Sequence, residues 1–216
     1  MKHTRHILSS TATRIHQRGV VLFFALVALV AMSLAAVALI RSVDTTTLIS
    51  GNLAFRQSTT SAGDAGINAG MAWLTTVQSA NNSLNMLTDA SHPFNITDLA
   101  TRPGYHSNAG TLDLFAETTW NSTDNNNALA GTNTDTGNTT RYVIERMCRN
   151  ANQVPDTTHC LFSAAVQDNN GQNIPLPQEV CTGAGCPVAG QAPQIRITAR
   201  TQGPRNTVSY VQAFVY

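Results

Sequence analysis

The chain has 216 residues, a formal net charge of +1 and only 12% charged residues. That length leaves room for one domain of about 120–150 residues beside a membrane segment, and none for two large domains. The first 19 residues carry four of the thirteen basic side chains and none of the twelve acidic ones, so the chain after them is near −3. With Lys2 as its only lysine and no basic patch, the chain is not expected to bind nucleic acid. Asn, Thr, Ser and Gln stand where charges are usual, which suits an extracytoplasmic surface.

In chain order, Lys2, Arg5, Arg14 and Arg18 make residues 1–19 a purely basic leader. Residues 20–40 then contain no charge and no proline, and Ser33 is their one weakly polar side chain. As a helix this run is about 31 Å long, enough to cross a hydrocarbon core of ~30 Å. The basic leader predicts a cytoplasmic start, with everything after Arg41 outside. Three kinds of signal compete. Ala36-Val37-Ala38 could be a secretory cleavage site, but the run exceeds the usual ~7–15 residues. An uncleaved single-pass anchor of a periplasmic binding module fits the length and charges. Gly19, standing between the basic residues and the first apolar one, also suits cleavage on the cytoplasmic side, leaving the helix on the mature chain.

No proline precedes Pro93, so one helix is predicted over residues 20–78, with fraying near Gly51, Gly63, Gly66 and Gly70. These glycines would permit close approach of a sheet or another helix. Val43, Leu48, Ile49, Leu53, Ala62, Ala65, Ala69 and Trp73 recur at helical spacing and predict one buried stripe. Arg41 and Asp44, three apart, can pair along one face.

Residues 79–140 are rich in Asn, Thr, Ser, Asp and Gly and read as mostly loop, with a short strand at Leu112, Leu114 and Ala116. Asp124-Asn125-Asn126-Asn127 lacks the alternating acids, central glycine and distal glutamate of a calcium loop. Residues 141–216 are predicted to form the β domain. Tyr142 and Ile144 alternate with Val143 and Glu145 up to Cys148, and 161–167 is a short apolar strand. Over 194–202, Ile195, Ile197 and Ala199 face one way and Arg196, Thr198 and Arg200 the other. Gly203-Pro204-Arg205-Asn206 makes the turn, and the last strand puts Val208, Tyr210, Gln212 and Phe214 on one face. The expected class is α+β: a long N-terminal helix, half membrane span and half amphipathic, on an antiparallel sheet of about four strands.

Cys148, Cys160, Cys181 and Cys186 predict disulfides in an oxidising compartment; local closure, Cys148–Cys160 and Cys181–Cys186, is the first choice of the three connectivities. A zinc site has only His159 beside Cys160 and the Cys181/Cys186 spacing in its favour. His92, His106 and His159 read as ordinary surface loop residues, and Glu117 and Glu145 could face each other. No nucleophile elbow, zinc-protease motif, phosphate loop or dinucleotide fingerprint occurs, so neither an enzyme nor a cofactor is expected.

Arg18-Gly19-Val20-Val21-Leu22-Phe23-Phe24 resembles the leader junction of type IV prepilins, with Val20 as the first mature residue. More narrowly, residues 19–57 resemble the N-terminal segment of PilX-type minor pilins, and 194–216, with its Gly-Pro-Arg-Asn turn, resembles that family's terminal hairpin. The resemblance implies cleavage after Gly19 by prepilin peptidase, N-methylation of Val20, and an assembly helix bearing Phe24, Ser33, Arg41 and Asp44. Partners implied are the major pilin and other minor pilins through that helix, and a PilY-type tip adhesin. The implied path runs from the inner membrane to the pilus tip, with roles in priming assembly, attachment and twitching motility. Major pilins carry glutamate where this chain has Phe24. In the family that carboxylate pairs with a neighbouring amino terminus inside an apolar fibre core, where an unpaired charge costs several kcal/mol. A subunit lacking it suits the first position, at the tip. A glutamate-lacking tip pseudopilin of type II secretion is the nearest alternative.

Overall fold

The computed structural model describes residues 18–164, 170, 172 and 190–216. Helix α1, Arg18–Ala80, is unbroken through all four glycines, so the expected fraying is absent. By its contacts the chain divides into two units, Met1–Gly51 and Asn52–Tyr216. The described part of the first is helix alone, and every side chain from 20 to 50 is exposed.

The second unit is α+β. Five strands, β1 (Tyr105–His106), β2 (Ala128–Asn133), β3 (Asn138–Arg146), β4 (Ile195–Gly203) and β5 (Thr207–Val215), form one sheet in the order β1-β3-β4-β5. β2 also pairs with β3, antiparallel along its first half, while β1 lies parallel to its end at Tyr105↔Ile144 and His106↔Glu145. The sheet is therefore mixed and five-stranded, not purely antiparallel with about four strands. The register places Ile197 beside Ile144 and Ala213, and Ala199 beside Tyr142 and Val211, so these side chains share the helix-facing side.

The helix sits close because it offers no side chains where the strands press. A Cβ on Gly63 would lie 2.5 Å from Val211 Cγ2, one on Gly66 2.6 Å from Ala199 Cβ, and one on Gly70 2.8 Å from Ile197 Cγ2. Spaced three and four apart, the glycines fall on one helix face. Around them Ile67, Leu74, Phe94, Tyr105, Tyr142, Ile144, Ile195 and Ile197 form the main core, flanked by Ala69, Trp73 and Val77. Trp73 stacks on Tyr105 at 5.2 Å, which fixes the segment after the helix against it. The buried stripe thus runs from Thr59 to Leu74, with Ala62, Ala69 and Trp73 half-buried. Val43, Leu48, Ile49, Leu53 and Ala65 are exposed, contrary to expectation. The strand turn at Gly203 meets the helix at Thr59, Asn138 at the start of β3 donates to Ser58 Oγ at 2.9 Å, and the Arg205 guanidinium lies over the Phe55 ring, so these contacts stop short of Leu53.

Residues 79–140 are folded, because their Asn and Asp side chains satisfy the turns they sit in. Asn85 Oδ1 accepts from Leu87 N, Asp89 from Ser91 N, Asp113 from Phe115 N and Asn133 from Asp135 N, each two residues on. This is turn chemistry that composition alone reads as disorder. The expected strand at Leu112–Ala116 is instead a turn leading into a 3-10 helix, Glu117–Trp120. Trp120 Nε1 donates to Leu114 O at 2.8 Å, and Leu112, Leu114 and Trp120 pack on Val143 and Tyr210 across the second face of the sheet. β4 is consequently buried on both sides, down to Thr198 and Arg200.

Replacing Gly66 by valine drives a branched side chain into Ala199 and Thr140. Gly66→Val is expected to cost about 2–3 kcal/mol in denaturant unfolding of the full chain in detergent. Gly51→Val, with nothing within 4 Å of its Cβ, is the control and is expected to leave stability within about 0.5 kcal/mol.

Candidate functional site

The first candidate is the apolar part of α1. Residues from Val20 onward have a peak mean hydropathy of 2.9, and this is the one helix among the described residues long and apolar enough to cross a membrane. Phe24 is 66% exposed, its ring edge-on to Phe23. Ser33 Oγ donates back to Val30 O at 2.8 Å, so its hydroxyl is satisfied within the helix. Thr45, Thr46 and Thr47 do the same to Arg41, Ser42 and Asp44 carbonyls as the run turns polar. Arg41 and Asp44 are both exposed, and no ion pair joins them. Gly19 and Val20 lie in the first helical turn; the leader, residues 1–17, is outside the described residues.

The second candidate is the disulfide corner. Cys148 and Cys160 are bonded, with Cα atoms 4.0 Å apart across twelve residues. The pair closes a small ladder that extends the sheet: Leu161 N donates to Met147 O at 2.8 Å and Gln194 N to Leu161 O at 2.9 Å. Of the expected strand at 161–167, only Phe162 bridges to Pro193, and 165–167 fall outside the described residues. Cys181 and Cys186 also lie outside them. A zinc role for Cys160 is ruled out by the bond, and the His159 ring turns to Asp156 at 2.9 Å.

Residues that the sequence did not single out carry the polar interior. Arg146 is wholly buried and meets no carboxylate among the described residues. Its Nε donates to Ser107 O at 2.9 Å, Nη2 to Gln153 O at 2.7 Å, and Nη1 to Asn95 Oδ1. Asn95 in turn donates to Met86 O and Asp89 O. One guanidinium thereby ties β3 to three separate loops, and burial pushes it below its ordinary pKa. On the second face Glu145 pairs with Arg196 at 2.6 Å and Glu117 with Arg200 at 2.5 Å. The two glutamates thus do not face each other. Asn127, from the run considered for calcium, is buried and bonds Thr119 O, Asn121 O and Arg141. No group of three or more His, Cys, Asp or Glu that could hold a metal occurs among the described residues.

His92 and His106 are buried rather than exposed. His106 Nε2 lies 3.1 Å from Asn126 O. His92 caps the 3-10 turn Pro93–Asn95, its Nδ1 accepting from Phe94 N at 3.2 Å. That acceptor role requires a neutral ring. Burial lowers the His92 pKa, Asp89 opposes the shift, and the Arg146 and Arg102 charges reinforce it.

Compared with known proteins, the chain matches no family model, no curated protein and no solved structure.

Arg146→Met would strand the acceptors of Asn95, Ser107 and Gln153; a loss of about 2–4 kcal/mol in denaturant unfolding is expected. For His92 the sign follows from its depressed folded pKa. Above about pH 6.5 both folded and unfolded rings are neutral, and the contribution is whole. Below that the unfolded chain takes up the proton first, so stability falls with pH. The unfolding midpoint should drop between pH 7 and 5. The drop should shrink in His92→Asn, which keeps a capping acceptor and does not titrate.

Proposed function

We propose that the chain is a minor pilin of the PilX type, a structural and assembly protein that helps prime type IV pilus growth and ends at the pilus tip. The observation that carries this reading is one continuous helix with two chemistries. Its first part is apolar on every side with every side chain from 20 to 50 exposed, and its second part buries a glycine-lined stripe against a sheet. A helix apolar all round is stable only inside a membrane or among similar helices. Both environments belong to a subunit that is first held in a bilayer and then moved into a fibre core. The Cys148–Cys160 bond supports export to an oxidising compartment, here the periplasm.

On this reading prepilin peptidase cuts after Gly19 and leaves Val20 as the N-methylated first residue. The helix then bundles with the major pilin and other minor pilins. Phe24, apolar where major pilins carry an acid, has no charge to offer a preceding subunit, while the Val20 amine can receive a following subunit's carboxylate. That one-sidedness supports a place at the tip, beside a PilY-type adhesin, with roles in attachment and twitching motility. A type II secretion tip pseudopilin would share the processing and differ in the machinery it joins.

Mass spectrometry of the protein taken from cells tests the reading. The expected amino terminus is N-methylated Val20, with the chain present in sheared filaments. Gly19→Leu should retain the leader and keep the chain out of filaments. A native chain that begins at Met1 would instead be an uncleaved anchor, and the pilin reading would fall.

A further inference from the structure

β5 forms one end of the sheet. Among the described residues its only strand partner is β4, in unbroken register from Gly203↔Thr207 to Ile195↔Val215. Residues along an antiparallel strand turn their N–H and C=O groups alternately to its two sides, so half of β5's backbone points away from β4. Proteins ordinarily blunt such an edge with lysine, proline, a bulge or short length. The opposite edge is blunted: β1 has two residues, and β2 breaks register between Leu129 and Gly131. β5 has nine residues, and 207–216 contain no charge, proline or glycine.

A second feature lies at the same place. A groove of about 670 Å³ adjoins the end of β5, lined by Met71, Leu74, Met86, Phe94, Val215 and Tyr216 among others. On the opposite face of the strand Phe214 is 55% exposed. A strand laid along β5 would find apolar surface on both of its faces. The nearby arginines of the second face, Arg196 and Arg200, are already matched by Glu145 and Glu117. What the strand offers a partner is therefore main chain and apolar side chains rather than unmatched charge.

We infer that β5 receives, by strand addition, an extended segment of a different protein, which pairs with the free edge and places an apolar side chain in the groove. Main-chain pairing supplies affinity and the groove supplies choice. A second copy of this chain is the rival occupant. A closed two-fold pair of identical edges must be antiparallel. Its two copies of residues 52–80 would run in opposite directions, and the chains leading into them would leave from opposite sides. That arrangement does not suit two subunits entering one membrane. The inference rests on the assembly reading only for where the partner is sought.

Hydrogen exchange read by mass spectrometry over residues 207–216 tests it. The full chain alone in detergent is compared with the chain in native membranes and in sheared filaments. About half of the β5 amides should exchange freely in the isolated chain and on the order of 100-fold more slowly in membranes or filaments. Protection already present in the isolated chain would overturn the inference. If that protection is independent of concentration, the edge is covered by the chain itself; if it rises with concentration, by a second copy. Unchanged exchange in both assemblies would also overturn it. The two readings fail separately. A chain that keeps its leader and is missing from filaments defeats the assembly reading. A processed chain in filaments whose β5 exchanges as in isolation, there and in membranes, defeats strand addition alone.

Discussion

The architecture of residues 52–216 depends on how near α1 can come to β4. Gly63, Gly66 and Gly70 remove the side chains that would hold helix and sheet apart, and Val211, Ala199 and Ile197 fill the space. Glycine inside a helix costs about 1 kcal/mol relative to alanine. Three of them on one face are tolerable only because the contact returns more in burial than the helix loses in propensity. The same contact decides which residues become core. Trp73 and Leu74, one turn beyond Gly70, meet Phe94 and Tyr105, and so the segment after the helix is drawn into the structure.

Upstream, the same helix obeys a different rule. Beyond the contacts at Thr59, Ser58 and Phe55, the amphipathic pattern is covered by none of the described residues, and Val43, Leu48, Ile49 and Leu53 stay exposed. From Val20 to Ile40 the pattern disappears and the surface is apolar on all sides. Hydroxyls there and just beyond bond back to the preceding turn, at Ser33, Thr45, Thr46 and Thr47, which spares them a partner outside. The chemistry of this stretch is complete within the helix except for its apolar surface, and that surface is what a bilayer or a bundle of like helices supplies.

Elements whose signal is local periodicity were legible in the sequence. The long helix, the alternation of β4, the Gly203–Asn206 turn and the face shared by Tyr210 and Phe214 all follow from side-chain spacing. The Cys148–Cys160 bond is one half of the local-closure pairing, the first choice among three connectivities. What was not legible depends on partners far apart in the chain. Asn127 looks like one of a low-complexity run until Arg141 and the Thr119 carbonyl are brought to it. His92 reads as a surface histidine until the loops tied by Arg146 bury it. The helical spacing on α1 extends upstream to Val43 while full burial begins at Thr59, since periodicity marks which face would be buried and not where the covering sheet stops.

The buried arginine explains why a segment so poor in apolar residues folds at all. Between Asn81 and Asn127 the fully or nearly buried apolar side chains are few, among them Leu87, Phe94, Tyr105, Leu114 and Trp120. Each polar turn satisfies its own backbone, but independent turns have no reason to adopt one arrangement. A guanidinium with fixed donor directions does: Arg146 reaches Ser107, Asn95 and Gln153 at once, and Asn95 passes the constraint to Met86 and Asp89. Burying that charge among neutral acceptors is costly, and it persists because every loop it holds would lose its place without it. Residues 79–140 therefore present a defined surface rather than an adaptable one. A partner meeting this face would find it already shaped.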